Sequence, residues 1–170
     1  IGDNGTPTFG IEEPGDVSRY KGSVFEGGVR IPFIVNGQMV KDKGIQIDEF
    51  VHVTDVFATV LDFAEVERDS KFDQGSWDKM TVTIDGRSLL PWLQGENPNW
   101  REYLYTEGFF PNGPPPYDHH KKMIRDKNWK LIRNYTLETA YEESFYAYED
   151  DDTYEGENLL LQDAMTEQAI

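Results

Sequence analysis

The apolar residues follow a helical spacing in the N-terminal part of the chain. Over residues 54–64 they recur three and four positions apart, which predicts an amphipathic helix with Thr54 as its N-cap and Asp55 in its first turn. A short apolar run over residues 29–35 predicts a buried strand, and residues 84–93 predict a turn that leads into a short helix. Alternation of strand and helix is typical of an α/β layer.

The C-terminal part is built instead from short aromatic segments separated by turn residues. Four of them have the composition of β-strands, and they lie at residues 103–105, 122–125, 129–133 and 144–148. We expect an antiparallel sheet, an irregular proline-rich loop over residues 108–116 and a terminal helix over residues 158–170. The predicted fold class is α/β, with an α/β domain over residues 1–98 and a small antiparallel β-sheet subdomain with a helix over residues 99–170.

Composition excludes several classes of function. Of the 170 residues 38% are hydrophobic, which is enough to bury a core. The chain carries 32 acidic against 16 basic residues, and a surface with a net charge of −16 repels polyphosphate, which excludes nucleic acid as a partner. No apolar run reaches the roughly 18 residues of a membrane span. The chain has no cysteine, which excludes disulfides, thiolate metal sites and a cysteine nucleophile.

Residues 21–32 concentrate the candidate chemistry. Three glycines within seven positions predict a backbone that is pressed close to a neighbouring group, and the flanking charges favour a polar or anionic neighbour. The ammonium of Lys21 has three donors and suits a tetrahedral oxyanion, although a surface lysine before a turn is the more common reading of such a residue.

Glu26 and Arg30 lie four positions apart on either side of Gly27 and Gly28. They could form an exposed pair that contributes little to stability. They could also brace the glycine turn from behind, and we favour bracing because the adjacent glycines and Pro32 imply a crowded junction.

Asp3 and Asn4 are candidate metal ligands, because carboxylate and amide oxygens suit Ca²⁺ or Mg²⁺. Neighbouring side chains on a strand point to opposite faces, so both can reach one ion only where the backbone turns, and Gly5 permits such a turn. Two alternatives stay open. Asp-Asn-Gly is also a common turn sequence, and Asn4 begins a glycosylation pattern whose glycan would contradict the ligand role.

His119 and His120 follow the proline-rich loop. Paired histidines can contact a substrate anion or bind a metal, but exposed loop histidines without such a role are common. The aromatic residues Phe109, Phe110 and Tyr117 could stack on a sugar or an arene, or they could pack on the sheet. The sequence leaves both pairs of alternatives open.

Several segments, taken together and in order, resemble type I sulfatases of the alkaline phosphatase superfamily. They comprise Gly-Asp-Asn-Gly, Lys-Gly-x-x-x-Glu-Gly-Gly-x-Arg-x-Pro, a following helix, Asp-Gly-x-Ser-Leu, and a C-terminal sheet with a closing Asn-Leu, at residues 2–5, 21–32, 52–61, 85–93, 125–133 and 145–160. One such motif is weak evidence, whereas the ordered set is strong evidence. The resemblance implies the C-terminal part of the catalytic α/β domain followed by the sheet subdomain.

The resemblance also implies roles for individual residues. Asp3 and Asn4 would be ligands of Ca²⁺, with Mg²⁺ as the alternative ion. Lys21 would hold the oxygens of a sulfate ester and help to protonate the leaving group. Apart from the resemblance, the histidine pair makes His119 our candidate for contact with the substrate. Structural support of this site would come from Glu26, Gly27, Gly28 and Arg30.

One departure from the family pattern matters most. The family's nucleophile is a formylglycine made from Cys or Ser in a Cys/Ser-x-Pro/Ala-x-Arg motif, and the chain contains no such motif. We therefore expect a fragment that is inactive alone, with the N-terminal part of the same protein as its partner and a sugar or aryl sulfate as substrate. The family is often exported, which favours a periplasmic or extracellular location.

Two alternative functions stay open on the sequence. One is a non-catalytic acidic binding or structural domain on the same scaffold. The other is part of a hydrolase of phosphate or phosphonate monoesters. The Lys-Gly-x-x-x-Glu-Gly-Gly pattern makes us prefer sulfate.

Overall fold

The computed structural model describes residues 1–2, 4–7, 16–66, 84–137, 141–148 and 155–161. The chain forms two compact units, one of residues 1–34 and 102–170 and the other of residues 35–101. The domain boundary predicted between residues 98 and 99 stays a prediction. Within the described ranges, every helix is too short or too polar to cross a membrane.

A four-stranded antiparallel sheet dominates the first unit. Its strands are β1 (Leu104–Phe110), β2 (His119–Arg125), β3 (Trp129–Thr136) and β4 (Glu142–Ala147). They pair in the order β1-β2-β3-β4, so each strand pairs with the next along the chain. The predicted antiparallel sheet is confirmed. The proline-rich loop begins later than predicted, because Gly108 and Phe109 still pair with Lys121 and His120 of β2.

Side chains alternate between the two faces of this sheet, and one face carries the core. Met123, Ile132 and Tyr146 are buried there together with Val24. Phe25 packs edge-on against the ring of Tyr146, with 5.9 Å between ring centroids. The apolar residues just before the double glycine are therefore anchored on the sheet.

The predicted strand over residues 29–35 is wrong in the described structure. Val29 ends a four-residue helix, α1 (Glu26–Val29), and residues 30–35 have no regular secondary structure. A strand needs a neighbour that supplies hydrogen bonds along its length. In the described ranges the backbone of residues 31–35 makes one such bond, in which Pro32 O accepts from Gly2 N at 2.8 Å.

The second unit contains the predicted helices. The helix α2 (Val53–Phe63) confirms the helical spacing, and α3 (Leu90–Leu93) follows the predicted turn. The N-cap of α2 is His52 and not Thr54. The ring Nδ1 of His52 accepts from Thr54 N at 3.3 Å, and the carboxylate of Asp55 accepts from His52 N at 2.7 Å.

Asp55 is completely buried and connects α2 to the polypeptide around it. Its carboxylate accepts two hydrogen bonds from the guanidinium of Arg101, at 2.5 and 2.6 Å, and a third from Arg87 N at 2.8 Å. Burial by itself would raise the pKa of Asp55, but the hydrogen bonds from Arg101 and from backbone N–H groups outweigh it and lower the pKa. The carboxylate is therefore ionised at neutral pH.

Replacing Asp55 by Asn should destabilise the chain by about 3–5 kcal/mol, because the mostly buried guanidinium of Arg101 loses its charged partner. The measurement is urea unfolding at pH 7, with Asp42→Asn, at an exposed carboxylate, as the control. Equal free energies of unfolding for the two variants would contradict the stabilising role of the Asp55–Arg101 pair.

The same variant tests the pH dependence. Because the folded state lowers the pKa of Asp55, its stabilising contribution is complete above the unfolded pKa of about 3.9 and is lost as the pH falls through the folded pKa. In Asp55→Asn the free energy of unfolding should therefore fall less steeply than in the unsubstituted chain as the pH is lowered below about 5.

Candidate functional site

The N-terminal segment runs beside the glycine segment and is bound to it by backbone hydrogen bonds. Gly5 N donates to Gly28 O at 2.9 Å, and Lys21 N donates to Thr6 O at 3.3 Å. These bonds bring the segment that carries Asn4 next to the turn that carries Lys21. Asp3, the other predicted metal ligand, lies outside the described residues.

Direct backbone contact explains three of the glycines. A Cβ atom on Gly5 would lie 2.7 Å from Gly28 Cα, and one on Gly27 would lie 2.7 Å from Arg19 O. A Cβ atom on Gly28 would lie 2.8 Å from Tyr20 O. The predicted close approach is real, but the neighbour is the backbone of the chain itself, where the sequence favoured a polar or anionic group.

The backbone turns at Asn4, which has a φ of 52° in the left-handed region. Asparagine adopts this conformation more readily than most residues with a side chain. The sequence assigned this turn to Gly5, which is buried against the double glycine. A turn between neighbouring residues is the geometry that two adjacent ligands of one cation require.

Lys21 lies in a tight turn and is exposed. Ser23 N donates to Tyr20 O at 3.0 Å, and Gly22 has a φ of 87°, so glycine is needed at that position. Within the described ranges the ammonium of Lys21 has no hydrogen-bond or ion-pair partner. It is available to an anion from outside the chain.

A buried ionic cluster lies behind the glycine turn, and we call it the Glu26 cluster: Glu26, Arg125, Lys130 and Glu155. The carboxylate of Glu26 accepts from Lys130 Nζ at 2.9 Å and pairs with Arg125 Nη1 at 2.7 Å. Glu155 Oε1 accepts from Lys130 Nζ at 2.6 Å and from Glu26 N at 2.8 Å. Lys130 has no exposed surface at all, and Glu26 is 3% exposed.

The charges of the Glu26 cluster balance, because two carboxylates face one ammonium and one guanidinium. Burial alone would raise the pKa of Glu26, but the charges of Lys130 and Arg125 outweigh burial and lower it. Glu26 is therefore ionised at neutral pH. Arg125 also lies 4.2 Å from the ring centroid of Tyr148, which covers it.

Sequence reasoning identified Glu26 as a bracing residue but missed its partners on the sheet. Arg30, which the sequence paired with it, is exposed, and its backbone N–H donates to Glu26 O at 2.8 Å. The signal for the true partner was present in β3. Lys130 and Ile132 are two positions apart and share one face, so a cation stands where the alternation expects an apolar residue. A charge at a core position predicts a buried partner.

The two histidines have different surroundings. His119 is exposed at the start of β2, with its ring 6.5 Å from that of Phe110. His120 is 3.0 Å from a carboxylate oxygen of Glu107 and stacks on Phe109, with 4.5 Å between centroids. Among the described residues no contact connects either histidine to Lys21. The substrate role of His119 stays a prediction.

The aromatic residues of the proline-rich region pack on the sheet. The rings of Phe109 and Tyr117 are 4.8 Å apart, and Phe109 also stacks on His120, which in turn stacks on Tyr135 at 5.7 Å. Phe109 and Tyr117 therefore contact the sheet, and stacking of these rings on a sugar or an arene stays a prediction.

Comparisons with known proteins agree with the ordered motifs. Residues 19–169 match the family described as N-sulphoglucosamine sulphohydrolase, C-terminal. The "Ulvan-active sulfatase" of Formosa agariphila is 30% identical over 115 residues, which are 68% of this chain and 21% of that protein. An arylsulfatase of Clostridium perfringens is 30% identical over 93 residues, which are 53% of this chain and 17% of that protein.

A third relative, arylsulfatase J of Mus musculus, is 34% identical over 66 residues, which are 39% of this chain and 11% of that protein. The chain thus spans at most 21% of the length of these curated relatives. The family match, by contrast, extends over most of the chain, from the turn that carries Lys21 through the sheet. The predicted resemblance is therefore confirmed, and the chain belongs to the N-sulphoglucosamine sulphohydrolase C-terminal family of sulfatases.

Proposed function

We propose that this chain supplies part of the active site of a sulfuric ester hydrolase. Lys21 binds the sulfate group of the substrate, and Asp3 and Asn4 provide oxygen ligands to Ca²⁺, with Mg²⁺ as the alternative ion. One observation carries the proposal: the hydrogen bond from Lys21 N to Thr6 O, which puts the lysine turn beside the segment of Asn4. A cation-binding segment and an anion-binding side chain are then neighbours.

The chemistry of sulfate ester hydrolysis suits an exposed lysine at this place. Transfer of the sulfuryl group moves negative charge onto the oxygen that bridges sulfur and the alcohol. A fixed ammonium near that oxygen stabilises the charge, and its proton can help the alcohol to leave. Lys21 is suited to this role because its ammonium has no partner among the described residues.

The donor set of Asp3 and Asn4 fits a hard cation, and the turn at Asn4 supports the convergence of adjacent side chains. Ca²⁺ takes about 6–8 oxygen ligands, so two residues hold only a part of its shell. The remaining ligands come from other parts of the protein and from substrate. When bound, the ion neutralises charge on the sulfate group and helps to orient it.

The nucleophile also comes from another part of the protein, because the chain holds no Cys and no Ser in the Cys/Ser-x-Pro/Ala-x-Arg motif. The location of that nucleophile distinguishes the proposal from a non-catalytic acidic domain on the same scaffold, which would have none elsewhere. A reading frame that encodes the nucleophile motif directly upstream of residue 1 supports the hydrolase, and an upstream frame without it supports the non-catalytic domain.

The isolated 170-residue chain should not hydrolyse 4-nitrophenyl sulfate, since it contains no motif from which the formylglycine nucleophile could be made. The measurement is the release of 4-nitrophenol, monitored by its absorbance, with and without added Ca²⁺. Hydrolysis that disappears in Lys21→Ala would contradict the expectation, because it would require a nucleophile within these residues.

In a protein that joins this chain to its upstream segment, Lys21→Ala should lower kcat/KM for sulfate esters by roughly 10²–10³-fold, the usual effect of removing one donor to a developing charge. Lys43→Ala, at another exposed lysine, is the matched control and should leave kcat/KM unchanged. Equal rates for the two variants would exclude Lys21 from the site. Faster turnover of 4-nitrophenyl phosphate than of the sulfate would favour a phosphate monoesterase.

Ca²⁺ should bind weakly to the isolated chain, because two ligands leave the ion mostly hydrated. Titration calorimetry checks this, with Asp3→Ala and Asn4→Ala as variants. Binding tighter than about 1 μM that is lost in Asp3→Ala would show that these residues already complete a site, against the proposal that ligands come from elsewhere.

A further inference from the structure

We propose that the Glu26 cluster sets the position of the Lys21 turn and of the Asn4 segment, so that Lys130 and Glu155 are positioning residues of the sulfate site. The role of that site rests on the proposed function. The coupling between the Glu26 cluster and these two segments rests only on described contacts of the first unit.

The first step of the argument is that α1 cannot hold its own position. It has four residues, two of them glycine, and isolated helices of this length are unstable in water. Its first residue is instead held at two places. Lys130 and Arg125 bind the carboxylate of Glu26, and Glu155 accepts from its backbone N–H. The position of α1 is thus set by strands β2 and β3.

The second step is that the backbone of α1 directly contacts both the Asn4 segment and the Lys21 turn. Gly28 O accepts from Gly5 N, one residue beyond Asn4. Gly28 also packs against the backbone of Tyr20 and Ser23, which flank Lys21. These contacts join backbone to backbone, so no side chain between them can rearrange and absorb a shift of α1.

The third step concerns Lys130, which holds the two carboxylates together. Both Glu26 Oε1 and Glu155 Oε1 lie within 2.9 Å of its Nζ. Without the ammonium the two buried carboxylates repel each other, while the guanidinium of Arg125 stays paired with Glu26. The repulsion acts on Glu26, and therefore on α1, more than on the paired interior of the sheet.

The test is amide hydrogen exchange, measured by NMR on the full 170-residue chain at pH 7. Lys130→Met removes the charge and keeps most of the side-chain length. We expect exchange at Gly5 and Lys21 to accelerate at least tenfold more than at Ile132, whose amide lies in the middle of the sheet. The ratio of site to sheet exchange is the readout, because a general loss of stability would accelerate all three amides together.

A rescue variant makes the test specific. Glu155→Gln in the Lys130→Met background removes the repulsion, while the amide oxygen of Gln can still accept from Glu26 N. We expect the double variant to recover most of the protection at Gly5 and Lys21. If Lys130→Met does not fold, Glu155→Gln alone is the second variant. It removes the charge that Lys130 binds on Glu155 and keeps the pair of Lys130 with Glu26, and it should accelerate exchange at Gly5 and Lys21 more than at Ile132 in the 170-residue chain.

Either of two results overturns the proposal: unchanged exchange at Gly5 and Lys21, or equal acceleration at Ile132. Kinetics on 4-nitrophenyl sulfate in the longer protein separate this inference from the proposed function. If Lys21→Ala abolishes turnover while Lys130→Met leaves kcat/KM and exchange unchanged, the coupling is wrong and the hydrolase assignment stands. If Lys130→Met changes the exchange ratio while Lys21→Ala leaves turnover intact, the coupling stands and the assignment of Lys21 is wrong.

Discussion

The first unit depends on one buried ammonium. Lys130 has no contact with solvent and binds carboxylates that lie 104 and 25 positions away in the sequence. Removing a lysine from water is costly, and that cost is offset only when its partners are charged and well aligned. The energy of this interaction therefore depends more strongly on the exact positions of the charged groups than the energy of apolar packing does. It fixes the glycine helix to the sheet at a defined position, while Val24, Met123 and Ile132 supply most of the apolar contact around it.

The second unit repeats this principle with a different pair. Asp55 is as deeply buried as Lys130, and like Glu26 it lies in the first turn of a helix, where it binds a guanidinium far along the chain. In each unit a carboxylate near a helix start meets a cation from a distant segment. The helix in the second unit is long enough to show its own periodicity, whereas α1 is too short to be recognised from spacing. The ionic contact thus contributes relatively more to the placement of α1.

Local patterns predicted what local physics determines. The aromatic strands, the spacing over α2 and the turn before α3 were all read from neighbouring residues, and each was found close to its predicted place. Failures occurred where a partner far along the chain decides. Residues 29–35 have the composition of a strand, but a strand exists only with a neighbour. The partners of Glu26 lie on strands that its own neighbourhood does not reveal. The cap of α2 is a local exception, because it lies at His52, where Asp55, three positions on, accepts from the backbone N–H. Ordered motifs identified the family more securely than they identified the contacts within it.

The contact among Gly5, Gly27 and Gly28 has a consequence for how this sequence can vary. In most cores a larger residue at one position can be accommodated by a smaller one opposite. Here each side of the interface is already reduced to main-chain atoms, so there is nothing left to shrink when another position gains a methyl group. A larger residue at one of these glycines therefore cannot be compensated by a smaller residue at another. Substitution can keep or abolish the contact between the two segments but cannot change it in small steps.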